Sequence, residues 1–159
     1  MAFNMDAFLN TPVDEPTSTR ITICPEGEYR AIIDDVSESG INSWVRPPID
    51  TKRGPMTILQ VPWVILDEDV KKTVGRDKVV VNMDIILDVD TITGQLIKGD
   101  GKNVSLGRLR SALGQNDAPG WTFTKLPGAG PALVKVTHRP DRNDPEIKYP
   151  EIRRVTRIG

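Results

Sequence analysis

Gly99–Gly120 reads GDGKNVSLGRLRSALGQNDAPG, one short, well-punctuated helix in a chain whose other periodic segments alternate as strands. Asn103 or Ser105 can cap its start, Leu106, Leu109, Ala112 and Leu113 fall on one apolar face, and Gly114 supplies a stop. Gly107 lies inside the run and works against a longer helix. A single amphipathic helix must bury its stripe against something, and in a β chain the open end of a curled sheet is such a surface. The helix is therefore expected to plug a small barrel.

The flanking segments supply the strands. Tyr29, Ala31 and Ile33 alternate with Arg30 and Asp34, predicting a strand over residues 28–36. MTILQVPWVIL (56–66) is apolar on both faces apart from Gln60, and its Pro62, which has no N–H to give, predicts an edge or a bulge. KVVVNMDIIL (78–87), ALVKVTH (132–138) and YPEIRRVTRI (149–158) predict three more. Between the first two lies Ser37–Pro55, a Gly/Pro-rich segment too long for a tight hairpin and of the kind that carries function. Residues 1–24 are polar and proline-punctuated after MDAFLN, and predict an extended N-terminal arm ahead of a barrel domain over 25–159. The order β, β, β, α, β, β predicts a mainly β protein: a five-stranded, partly open Greek-key barrel of OB type, with one helix between strands three and four. An antiparallel sandwich with an accessory helix is the competing architecture.

Length and composition narrow the function. The 159 residues suit one domain, with no apolar run of about 18 to span a membrane and no basic-then-apolar leader. Cys24 is the only cysteine, which rules out an internal disulfide and fits a reducing compartment. Net charge is −1, yet residues 1–97 hold 9 Lys/Arg against 16 Asp/Glu and residues 98–159 hold 12 against 6. A C-terminal half of +6 beside an N-terminal half of −7 suits one basic surface turned toward a polyanion, although two solvated faces of different sign give the same tally.

DGKNVSLGRLRSALGQN, followed by LPGAGPALVKVTHR and the closing EIRRVTRI, resembles a family of tailed-phage proteins related to single-stranded-DNA-binding proteins with OB folds. PEGEYRAIIDDV and LQVPWVILDEDV share the likeness, which covers residues 25–157. The resemblance implies sequence-nonspecific binding of single-stranded DNA in replication or recombination, in a host cytoplasm. Partners would be replication or recombination proteins, with self-association through a sheet edge or the arm. The chain departs from such proteins at its end, RRVTRIG, where they commonly carry an acidic tail; its acidic element is the N-terminal arm. A capsid decoration or cement protein of the virion is the alternative, with the arm draped over a neighbouring subunit.

An OB fold binds through the face of its second and third strands and the loops between strands 1–2 and 4–5. The first loop offers Trp44 as a stacking platform among Arg46, Lys52 and Arg53, unless the indole folds back over the barrel. The second offers Arg139, Arg142 and Tyr149, and the last strand adds Arg153 and Arg157 on the face of Tyr149, with Arg154 opposite. Cations protecting an edge strand account for the same residues. On the helix, Arg108 points away from the apolar stripe and Arg110 flanks it. Trp63 reads as core, and Trp121 and Phe123 suit either role.

Catalysis finds little footing. His138 is the only histidine and has no zinc-spaced cysteine partner. Asp88-x-Asp90 is followed by Ile92 where a calcium loop needs an oxygen ligand. Gly99–Lys102 lacks the spacing of a phosphate loop. The expectation is a binding protein without a cofactor, a metal or an enzymatic step.

Overall fold

The computed structural model describes residues 2–18, 21–36, 40–117 and 119–158. Among the described residues, seven strands alternate with three α-helices: α1 (Met5–Asn10), β1 (Gly27–Ile33), β2 (Ile49–Thr51), β3 (Gly54–Ile65), α2 (Glu68–Val74), β4 (Val79–Asp90), β5 (Gln95–Leu96), α3 (Val104–Ala112), β6 (Ala132–Pro140) and β7 (Lys148–Arg157). The antiparallel sheet has the order β5-β4-β3-β1-β6-β7, and β2 pairs with β3. β4 and β7 stand far apart in that order yet approach one another, so the sheet curls into a half-barrel, and α3 packs against both. The five segments expected from alternation are all strands; β2 and β5 are additional and too short to announce themselves by periodicity.

The sheet's inner face carries the core. Thr57, Leu59, Val61, Trp63 and Ile65 of β3 are buried at every second position. Ala31 and Ile33, Val81 and Ile85, and Val134 and Val136 face them from the neighbouring strands, and Leu106 and Leu109 of α3 close the cluster. Pro62 pairs with Asn82 inside the β3–β4 ladder, but it stands one residue beyond the β1–β3 ladder, at the point where the other side of β3 becomes an edge. Its carbonyl accepts from the Asp34 N–H at 2.9 Å, so its missing N–H faces the side where β1 has just ended and no ladder bond is lost.

Ser37–Pro55 is less of a loop than expected. Residues 37–39 lie outside the described residues, but the rest is stitched along the edge of β3 that β1 leaves bare. Val45 bridges Leu59, the Arg46 N–H donates to the Ile58 carbonyl at 3.2 Å, and the Thr57 hydroxyl donates to the Arg46 carbonyl. β2 then covers the start of β3.

α3 begins differently from the expected cap. Asn103 is its first flanking residue but adopts φ 54°, and its side chain caps nothing in the helix. Its Oδ1 instead accepts from the Asp88 N–H at 2.7 Å, and its Nδ2 donates to the Ile97 carbonyl at 2.9 Å. The Asn103 N–H in turn reaches the Asp88 carboxylate at 3.2 Å. Asparagine tolerates the left-handed conformation, and here it pins the helix start to the far end of β4. Gly114 ends the helix at φ 70°. Among the described residues, no helix is long and apolar enough to cross a membrane.

Candidate nucleic-acid interface

The expected site residues do not form one surface. Trp44 is 6% exposed and belongs to the core cluster. The stitching of residues 45 and 46 along β3 holds its indole inward, so it offers no free face to a base. Arg46, Lys52 and Arg53 are exposed around β2 and the β2–β3 turn. Arg139, Arg142 and Tyr149 lie at the other end of the sheet. The registers fix this: running from Gly27 to Ile33 along β1 leads toward the β2–β3 turn, whereas the β6–β7 turn projects beyond Gly27.

At that second end, side chains are committed to one another. The Tyr149 hydroxyl donates to Asp141 Oδ2 at 2.8 Å, while Asp141 Oδ1 accepts the Asn143 and Asp144 N–H groups at 2.8 and 3.2 Å. The tyrosine bond, then those two N–H groups, hold the Asp141 carboxyl below its ordinary range, and the same bond pushes the Tyr149 phenol up. Arg139 lies over the tyrosine ring, 5.5 Å from its centroid, and pairs with Glu151 at 3.4 Å.

The concentration of positive charge is elsewhere, in a groove of 890 Å³ between α3 and β7. Lys102, Arg108, Lys135, Arg153, Arg154 and Arg157 line it, all exposed, and among the described residues no carboxylate does. Arg154 pairs with Glu28 at 3.2 Å across β1 and β6, but among the described residues the other five form no ion pair. Arg108 reaches the groove because it lies opposite the buried stripe of Leu106, Leu109 and Ala112.

The three arginines of β7 gather there because of a bulge. Lys135 pairs with Arg154 and Val136 with Ile152, leaving Arg153 as the extra residue. The expected alternation, with Arg153 and Arg157 sharing the face of Tyr149, therefore fails. Arg153 and Arg154 are both exposed, Val155 turns inward, and the Arg157 guanidinium comes to lie beside Gly114, 3.2 Å from where a Cβ would stand. Lys102 and Lys135 escaped the sequence reading, since neither has a neighbour in sequence that marks it. The bulge did leave a trace: Ile152 and Val155 are apolar three positions apart, a spacing that an unbroken strand with one buried face does not produce.

The aromatic residues near the helix are occupied. Trp121 carries the Arg110 guanidinium over its ring at 4.4 Å, meets Phe123 edge-on at 5.1 Å, and donates its indole N–H to Gln115 Oε1 at 2.9 Å. Among the described residues, no aromatic side chain lines the cationic groove. His138 is structural: its Nε2 lies 2.7 Å from the Cys24 carbonyl, and its backbone N–H donates to Glu26 at 3.1 Å. Among the described residues, no three His, Cys, Asp or Glu side chains gather to hold a metal ion. Comparison with protein-family models, with curated proteins and with solved structures finds no match to this chain.

Proposed function

We propose that the protein binds single-stranded DNA without sequence preference, through the groove between α3 and β7, and acts in phage replication or recombination. One observation carries this: six cations around a cleft that no carboxylate lines among the described residues. Like charges held together repel unless a polyanion neutralises them, so such a cluster favours phosphates at regular spacing. The 890 Å³ cleft has the dimensions of a small-molecule pocket, which a few nucleotides of one strand can enter and a duplex cannot. The half-barrel supports the same reading as an OB fold elaborated by β2 and β5. Its strand order β4-β3-β1-β6-β7, with a helix between β4 and β6, supports reading it as a Greek-key barrel left open between its third and fifth strands. With no open aromatic platform in the groove, affinity comes from counterion release more than from stacking. No chemistry is performed on the strand.

Fluorescence anisotropy with labelled single-stranded and duplex oligonucleotides tests this. Micromolar or tighter binding to the single strand, weakening steeply with salt, is expected; failure on both substrates at low salt overturns the proposal.

A virion structural role is the second reading, favoured by α1, whose Phe8 and Leu9 are 62% and 70% exposed. Mass spectrometry of purified particles separates the two, because a coat component is present in stoichiometric amount.

A further inference from the structure

α3 divides two grooves. Besides the cationic cleft on its β7 side, a second groove of 720 Å³ runs between α3 and the β4–β5 turn. Val89, Leu96, Ile97, Leu106 and Phe123 give it an apolar lining, Lys98 and Lys102 are its exposed cations, and among the described residues no carboxylate lines it. The two grooves adjoin: Lys102, Asn103, Gly107 and Asn116 line both. Helical pitch fixes where they meet. With Leu106 at zero and ~100° per residue, Arg110 falls at about 40°, Gly107 at about 100°, Ser111 at about 140° and Arg108 at about 200°. Arg110 lines only the second groove, and Ser111 and Arg108 only the cationic cleft, so Gly107 is the ridge between them. The buried stripe of Leu106, Leu109 and Ala112 lies on the opposite side of the helix.

The fold makes no demand for glycine at this ridge. Gly107 has no positive φ, and a Cβ on it would meet nothing within 4 Å beyond its own turn of helix. After proline, glycine is the poorest residue for a helix interior, so an unbranched side chain here would strengthen α3 without a clash. What glycine provides is a bare ridge between a cleft of cations and a groove of apolar side chains. A single strand of DNA carries both matching chemistries in every nucleotide, a phosphate and a base with an apolar face. The N-terminal arm has apolar side chains as well, but Asp6 is the one acidic residue among residues 1–13, against five cations of the cleft that form no ion pair among the described residues.

We infer that the bound strand keeps its phosphates in the cationic cleft and passes bases over α3 at Gly107 into the second groove, where they pack on Phe123 and the aliphatic lining. The inference rests on the DNA-binding reading and adds a base-binding subsite to it. Packing against the faces of bases is tolerant of sequence, as that reading requires.

Fluorescence anisotropy with two single strands of equal length tests it, one normal and one abasic throughout. The wild-type chain should bind the abasic strand about tenfold more weakly but with the same salt slope, since the phosphates are the same. Gly107→Gln should weaken the normal strand about tenfold and leave the abasic strand unaffected, because only bases cross the ridge. The same substitution should raise the thermal midpoint by about 2 °C, glutamine being the better helix former, so lost binding would not reflect a lost fold. Leu96→Gln, within the second groove, should likewise act on the normal strand alone. Gly107→Gln with wild-type affinity for the normal strand overturns the inference and confines the strand to the cleft. An abasic strand held as tightly as the normal one overturns it too, as does Leu96→Gln without effect, which leaves the second groove to another occupant such as α1. Binding of neither strand at low salt is a different failure, which removes the DNA-binding reading itself and this inference with it.

Discussion

Trp44 shows how far a single residue can be read from its neighbours. A lone aromatic among cations in a Gly/Pro-rich segment suits base stacking, and nothing in the sequence reveals that the segment lies along β3 and turns the indole inward. The consequence is measurable. Trp44→Ala should cost about 3–5 kcal/mol in chemical denaturation, the range for a buried large aromatic, rather than acting on DNA affinity alone. Trp63 was legible because its strand is apolar on both faces. Cys24 offers a second test at this scale. Burial, with a smaller contribution from the Asp67 charge, pushes its thiol up to about 11. A raised value favours the neutral thiol, so its contribution to stability is fully present below the unfolded thiol's pKa and fades as pH climbs through about 11. A thiol reagent at pH 8 should accordingly label the native protein far more slowly than the denatured one.

At the scale of elements, periodicity located four of the five long strands and the helix, because each buries one face more than the other, while β3 showed itself as an unbroken apolar run with neither face exposed. What alternation could not supply was anything held by long-range partners. The β2 pairing, the Asn103–Asp88 bonds and the bulge at Arg153 each depend on a chain segment distant in sequence. Asn103 is the sharpest case, since the sequence marks it as a helix cap and the structure uses it as a clasp. Asn103→Ala should destabilise by about 1–3 kcal/mol in urea, leaving the half-buried Asp88 N–H without its partner and straining a positive φ. Asn103→Gly keeps the backbone at ease and should cost about 1 kcal/mol less. The β6–β7 hairpin answers to pH at both ends. Asp141 is held low, so its support is present above the ordinary carboxylate range and lost as pH falls through its folded value. Tyr149 is held high, so its support is present below the ordinary phenol range and lost as pH rises through its own. Tyr149→Phe should let the Asp141 carboxyl titrate upward toward the usual range, read by carbon-13 NMR.

Across the whole molecule, the uneven charge of the two chain halves was visible in the sequence, but its location was not. The basic half folds so that α3, β6 and β7 bring their cations around one cleft, while Arg139 and Arg142 stand at the β6–β7 turn, outside its lining. This separates two accounts of DNA binding that the sequence could not tell apart. If the cleft holds the strand, its five cations without a carboxylate partner set the salt response. Single-stranded DNA loses about 0.7 in the slope of log K against log salt for each phosphate contact removed, so five contacts give a slope of about −3.5. Arg108→Ala and Arg153→Ala should each flatten that slope by about 0.7, and together by about 1.4, because separate phosphates are released independently. Arg142→Ala, exposed at the far turn, should leave it unchanged. Arg154 tests the logic from the other side: it already pairs with Glu28, so Arg154→Ala should change the slope less than its neighbour Arg153 does. Should Arg142 carry the slope while Arg108 and Arg153 carry none, the strand would lie along the β6–β7 turn and the cleft would be unoccupied by DNA.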